Sequence, residues 1–113
     1  MIWYDVMKRL EDSGLNPIEE TYMENYGKVL TAQRPEFRDR IFKCAYGLVR
    51  CGGIDLEVYL FPDEIHREEF MDVIGSDPWW LARNNVVLHF PESDPAVVTK
   101  IVRAISHLNP GQN

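Results

Sequence analysis

Two tryptophans, an arginine and a histidine in the second half of the chain could together bind a small ligand: Trp79, Trp80, Arg83 and His89. Neighbouring side chains of a β-strand point to opposite faces, so the two indoles cannot both enter one core. We expect one of them beside His89 on the paired strand, with Arg83 near the turn. Such a grouping suits a small anion or a peptide. The alternative is that both indoles are buried, one on each face of the sheet.

The histidines and cysteines lack the spacings that bind metals. His66, His89 and His107 include no HxxxH pair, and Cys44 and Cys51 form no CxxC pair, so neither a metal site nor another cofactor is predicted. On one strand the two cysteines would lie about 23 Å apart, which is too far for a disulfide. Unpaired thiols favour a reducing compartment. We therefore expect a cytoplasmic protein, or an exported one if a signal is encoded upstream.

Motifs for nucleophilic catalysis or phosphate binding are absent from the sequence. It contains no GxSxG elbow, GxxxxGK loop or GxGxxG fingerprint. The serines fall at predicted turns, caps or helix ends. The expectation is therefore a protein without catalytic activity, although an enzyme that uses Arg83, His89 and one of the two tryptophans stays open.

Acidic and basic residues are segregated along a chain whose formal net charge is -6. Eight acids and a single base, Arg67, lie between Asp55 and Asp77, whereas bases outnumber acids over 26–50. A duplex-binding protein needs a basic stripe, so the overall balance argues against nucleic acid. The segregation favours a charged protein partner or a second copy of the chain. An ordinary solvated surface is the alternative.

Glu64, Glu68 and Asp72 recur every four positions, which places them on one face of a predicted helix. A cation or a basic partner would relieve their repulsion, and a solvated face is the simpler alternative. Together with Glu57, this acidic stripe would also suit an inhibitor that imitates phosphate charges.

Gly52-Gly53 lies between two β-rich runs and predicts a tight hairpin in which Cys51 faces Ile54. One face of this hairpin is apolar or small throughout and is expected to pack under the two later helices. The other face, here called the aromatic face, is more apolar than a solvated surface should be; its residues are Phe42, Tyr46, Leu48, Tyr59 and Phe61. Either the same chain or a partner must cover it.

The other elements follow from helical spacing and turn residues. The predicted order is a helix over 2–13, a weakly extended stretch over 17–23, a short strand over 29–31, a helical turn opened by Pro35, a hairpin over 42–61, a helix over 63–75, a hairpin over 79–90 and a helix over 94–109. The apolar stripe of the second long helix is predicted to contain Ile65, Phe70, Val73 and Ile74.

The 113 residues suffice for one domain, and no apolar run approaches the roughly 18 residues of a membrane span. The order α-(irregular/β)-β-β-α-β-β-α predicts an α+β fold with helices packed on an antiparallel sheet, an arrangement typical of many small bacterial domains. The sequence favours a non-catalytic module that binds another protein or itself through the aromatic face, extended towards Trp79 or Trp80. The alternatives are a small-ligand-binding protein or enzyme with a site near Trp79 or Trp80, Arg83 and His89, and an acidic inhibitor.

Overall fold

The computed structural model describes residues 1–34, 37, 42–75, 79–91 and 94–106. Its elements are α1 (Trp3–Asp12), β1 (Ile18–Met23), α2 (Gly27–Gln33), β2 (Ala45–Cys51), β3 (Ile54–Leu60), α3 (Glu64–Ile74), β4 (Trp80–Arg83), β5 (Val86–His89) and α4 (Pro95–Ser106). The strands form one antiparallel sheet in the order β1-β2-β3-β5-β4. The predicted α+β fold built on two hairpins is confirmed.

The hairpin of β2 and β3 has the predicted register, with Cys51 opposite Ile54. Gly52 and Gly53 both have positive φ, 58° and 85°, which a primed two-residue turn requires and which glycine adopts without strain. Arg50 donates to the Asp55 carboxylate over 3.1 Å on the strands beside the turn. The turn therefore determines which side chains of the two strands lie on the same face of the sheet.

Helices cover both faces of the sheet. Val49, Leu56 and Val58 on one face pack with α1 and α4. The opposite face packs with α2, Phe37 and α3. The expectation that both later helices lie on the same face was therefore wrong, because α3 and α4 lie on opposite faces. The sheet therefore buries two separate cores, one on each face.

Predicted caps begin and end the long helices. Asp63 accepts a hydrogen bond from the backbone of His66 over 2.9 Å at the start of α3. Gly75, with φ of 80°, follows its last turn. Asp94 accepts from the backbone of Ala96 over 3.1 Å at the start of α4. In the described part of the chain, no helix is long and apolar enough to cross a bilayer.

Two predictions about local structure were wrong. The segment 29–31 lies in α2, where Leu30 donates to the carbonyl of Tyr26 over 2.9 Å, and β1 occupies the sheet edge next to β2. Ile65 is 71% exposed, because it lies about 140° around α3 from the buried Phe70. The predicted turn at Pro35 and the end of the last helix, with His107, lie outside the described residues.

Candidate functional site

The aromatic face of the Gly-Gly hairpin is covered by the chain itself. Phe42, Tyr59 and Phe61 are at most 5% exposed. Tyr46 and Leu48, nearer β1, remain half-buried. Of the two expected covers, the same chain or a partner, the chain itself covers most of this face. Its three buried rings are therefore not free to contact a partner.

Phe70 of α3 is the centre of this second core and is fully buried. Its ring centroid lies 5.3 to 5.8 Å from five other aromatic rings, those of Phe37, Phe42, Tyr59, Phe61 and Trp80. Such distances suit offset and edge-to-face aromatic contacts. Phe70, which was predicted to lie on the apolar stripe of this helix, therefore covers the aromatic face.

A charged group lies at the margin of this core. Glu57 faces His89 on the neighbouring strand, and its carboxylate is 2.6 Å from His89 Nδ1. Its second oxygen accepts a hydrogen bond of 2.5 Å from the hydroxyl of Tyr46. The side chains of Glu57 and His89 keep only 21% and 19% of their surface exposed. We call Tyr46, Glu57 and His89 the Glu57 cluster.

Aromatic rings and an arginine enclose the Glu57 cluster. Trp80 stacks on His89 with centroids 3.9 Å apart and planes 14° from parallel. The guanidinium of Arg34 lies over the Trp80 ring, 4.9 Å from its centroid. Tyr26 stacks on Tyr46 at 4.4 Å. These contacts fix the orientation of both hydrogen-bond donors to Glu57.

The surroundings of Glu57 hold its carboxyl ionised. Burial alone would raise its pKa, but the hydrogen bonds from His89 and Tyr46, with the positive charge of Arg34 nearby, outweigh burial and lower the pKa. Burial and the bond to Glu57 raise the pKa of Tyr46, which therefore stays a neutral donor. Since an ionised carboxylate only accepts, Nδ1 of His89 carries the hydrogen of this bond.

A histidine oriented by a carboxylate can accept a proton, but acyl transfer also needs an activated nucleophile. Burial raises the pKa of Cys44 to about 12, so this thiol is protonated at neutral pH. Among the described residues, no group of three metal-type ligands comes together. The cluster is therefore described by the hydrogen bonds that His89 and Tyr46 donate to the Glu57 carboxylate.

The structure brings together two of the four residues predicted near the second hairpin. Trp80 contacts His89, whereas Arg83 lies on the opposite face of β4 and donates from Nε to the hydroxyl of Ser106 over 3.0 Å. Arg83 lies next to the turn as expected, but it does not join the Trp80–His89 grouping, because side chains alternate along β4. Trp79 is 42% exposed. The arginine beside Trp80 is Arg34, from the segment that follows α2.

The acidic stripe of α3 is a solvent-exposed surface. Glu64, Glu68 and Asp72 are all exposed, and Glu68 forms an ion pair with Arg67. Glu57 is not part of this surface, since His89 and Tyr46 occupy its carboxylate.

A cleft of about 760 Å³ opens where β1 and β3 end and β2 begins. We call it the strand-end cleft. Its aromatic lining comes from four different segments of the chain, at Trp3, Tyr22, Phe42 and Phe61. Its volume is in the range of small-molecule sites.

Close backbone packing forms one wall of the strand-end cleft. A Cβ at Gly27 would lie 1.8 Å from the carbonyl oxygen of Phe42, so only glycine lets α2 begin this close to the chain before β2. The backbone amide of Tyr26 donates to the carbonyl of Cys44 over 2.9 Å. This hydrogen bond also holds the start of α2 against the chain before β2. The wall is therefore built before any ligand binds.

The apolar wall is fixed by an asparagine and a glycine. The side-chain amide of Asn85 donates to the carbonyls of Met1 and Phe61 over 2.9 and 2.6 Å. Trp3 lies directly over Gly47, where a Cβ would come within 2.0 Å of the ring. The Trp3 ring also stacks on Tyr22 at 4.8 Å.

No pattern in the sequence predicted the strand-end cleft. The one local signal was Gly47 in the middle of an apolar strand, since a strand glycine often marks the close approach of another group.

The chain matches no protein-family profile, and no curated protein or solved structure is significantly similar to it. Its function is therefore argued from the strand-end cleft and the Glu57 cluster.

Proposed function

We propose that the protein binds a small, largely apolar molecule in the strand-end cleft. The observation that carries this proposal is the cleft of about 760 Å³ with aromatic side chains on its lining. The sequence suggested ligand binding near Trp79 or Trp80, Arg83 and His89 as an alternative. The proposal keeps that class of function and moves the site to the other group of aromatic residues.

Packing supports this position. The rings around Phe70 in the second core are buried, whereas Trp3 and Tyr22, which line the cleft, are only half-buried. Apolar surface removed from water contributes about 25 cal/mol per Å². A ligand that covers these rings would gain this free energy, and the preformed walls reduce the ordering that binding requires.

The Glu57 cluster supports the same choice by being internally satisfied. Its carboxylate already accepts from His89 and Tyr46. A ligand at this position would have to replace one of these hydrogen bonds. The cluster therefore stabilises the sheet and is not itself the proposed site.

Binding of the neutral dye Nile red tests the proposal. The exposed Asn25 lines the cleft, so Asn25→Trp should fill its mouth and weaken dye binding by about tenfold or more, since it removes contact area for the ligand. Ala96→Trp is the matched control, because it adds the same ring at an exposed position on α4. Equal dye binding by the two variants, or none by the unmodified protein, would contradict the proposal.

Self-association is the second candidate, because part of the aromatic face stays open. Half-buried Tyr46 and Leu48 lie beside Ile18 and Met23 of β1, which are 63% and 39% exposed. These four side chains could cover the same surface of a second copy. Leu48→Asp should then lower the molar mass measured by light scattering, and a monomeric unmodified protein at high concentration would contradict this candidate.

A further inference from the structure

We infer that the ligand of the strand-end cleft is an amphiphile with one negative charge, whose anionic group lies at Lys28 and Lys43. This inference rests on the proposed function and adds the chemical class of the ligand. An acyl chain or a fused aryl ring with a single carboxylate would fit this description.

The charges of the lining favour a monoanion. Among the described residues that line the cleft, Lys28 and Lys43 carry basic side chains and Glu24 carries an acidic one. The described lining thus carries a net positive charge in a protein whose formal net charge is -6. A single carboxylate would balance this local excess, whereas a cation would not.

Neither lysine has a charged partner within the described part of the chain. By contrast, Lys8 pairs with Asp12 over 3.3 Å on the exposed side of α1. Lys28 and Lys43 can therefore contact an incoming anion without breaking an ion pair. Their ammonium groups can also donate charge-assisted hydrogen bonds to its oxygens.

Backbone contacts place the two lysines on one wall of the cleft. Lys28 lies in the first turn of α2, Lys43 comes two residues before β2, and the Tyr26–Cys44 hydrogen bond joins these segments. The half-buried rings of Trp3 and Tyr22 come from the ends of other elements. An amphiphile can therefore place its head at the lysines and its body along the rings.

Competition against Nile red tests the charge of the ligand. Dodecanoate, dodecanol and dodecyltrimethylammonium share one chain and differ in head-group charge. Dodecanoate should displace the dye at about fivefold lower concentration than dodecanol, as expected for a contact with exposed charges, and the cation should be weakest. Naphthoate is compared with dodecanoate to distinguish an aryl acid from an acyl acid. Stronger binding of naphthoate would identify an aryl acid, and stronger binding of dodecanoate would identify an acyl acid. All measurements are made below the micelle concentration.

Substitution of the lysines assigns the effect to them. The double variant K28Q/K43Q should weaken dodecanoate binding about fivefold and leave dodecanol within about twofold of the unmodified protein. The variant K8Q/K100Q removes the same charge outside the cleft and should not change the preference. Near-ultraviolet circular dichroism checks that all the variants are folded.

The results separate the two proposals. Equal binding of dodecanoate and dodecanol, both lost in Asn25→Trp, would overturn the anionic ligand and keep the apolar site. A preference for dodecanoate that K28Q/K43Q and K8Q/K100Q reduce equally would also overturn it, because the effect would then come from overall charge. No binding of any of these probes would overturn the proposed function itself.

Discussion

Glu57 and His89 face each other on adjacent strands, and the imidazole donates to the carboxylate over 2.6 Å. Tyr46 donates to the other oxygen. The three side chains come from three consecutive strands of the sheet, β2, β3 and β5. A half-buried negative charge is stable at this position because both of its oxygens have donors.

Acidification should remove stability that Glu57 contributes. Its pKa is lower in the folded chain than its ordinary value of 4.5. The contribution is therefore complete above the unfolded-state pKa and is lost as the pH falls through the folded-state pKa. Urea unfolding at several pH values should show a smaller acid-induced loss of stability for Glu57→Gln than for the unmodified protein.

Glu57→Gln should also cost about 1–3 kcal/mol at neutral pH, because the two donors lose a charged acceptor. Glu11→Gln, at an exposed position on α1, is the control and should leave the free energy of unfolding within about 0.5 kcal/mol. If Glu57→Gln and the unmodified protein lose stability in parallel below pH ~4.5, the carboxylate does not contribute as described.

Tyr46→Phe should destabilise the fold by about 1–2 kcal/mol, since it removes one donor from the Glu57 carboxylate and keeps the stacking on Tyr26. Chemical denaturation gives this difference directly. Tyr4→Phe, at a side chain that is 66% exposed, should have no measurable effect. A Tyr46→Phe protein as stable as the Tyr4→Phe control would mean that the hydroxyl contributes nothing.

Local rules predicted the hairpin because its signals are adjacent in sequence. The two glycines determine the turn, and the turn determines every pair from Cys51 and Ile54 outwards. The Glu57–His89 pair could not be predicted this way. It depends on β3 lying next to β5, and α3 and β4 separate these strands in the chain.

The strand-end cleft could not be predicted from the sequence for a related physical reason. Its residues come from the ends of several elements, and no periodicity connects Trp3 with Phe42 or Lys43. Helical spacing does predict that Phe70 is buried, but it does not tell which sheet face the helix covers. That choice depends on the packing of α1 and α4 against the other face.

Gly47→Ala should displace the Trp3 ring, because the added Cβ would lie 2.0 Å from it. We expect a loss of about 1–3 kcal/mol from this overpacking and a change in tryptophan fluorescence. In the background of Trp3→Ala, the same substitution should cost much less, since the clashing ring is gone. A cost for Gly47→Ala that is unchanged by Trp3→Ala would show that the two residues are not coupled.

Phe70→Ala should be among the most destabilising single substitutions, with a cost of about 3–5 kcal/mol. The ring is fully buried against five aromatic neighbours, and its removal leaves a cavity in the second core. Ile65→Ala on the same helix is the matched control, because this side chain is 71% exposed. Similar melting temperatures for the two variants would contradict the position of α3 on the sheet.

Native-state alkylation should be slow at both cysteines. Burial raises the pKa of Cys44 to about 12 and that of Cys51 to about 11, so the reactive thiolate is scarce at neutral pH and the reagent has little access. Mass spectrometry after brief iodoacetamide treatment should find both thiols unmodified in the folded protein and both modified in urea. Cys44 also lines the strand-end cleft, so any slow reaction there should decrease further in Asn25→Trp. Rapid modification of Cys44 in the folded protein would contradict the burial of this thiol.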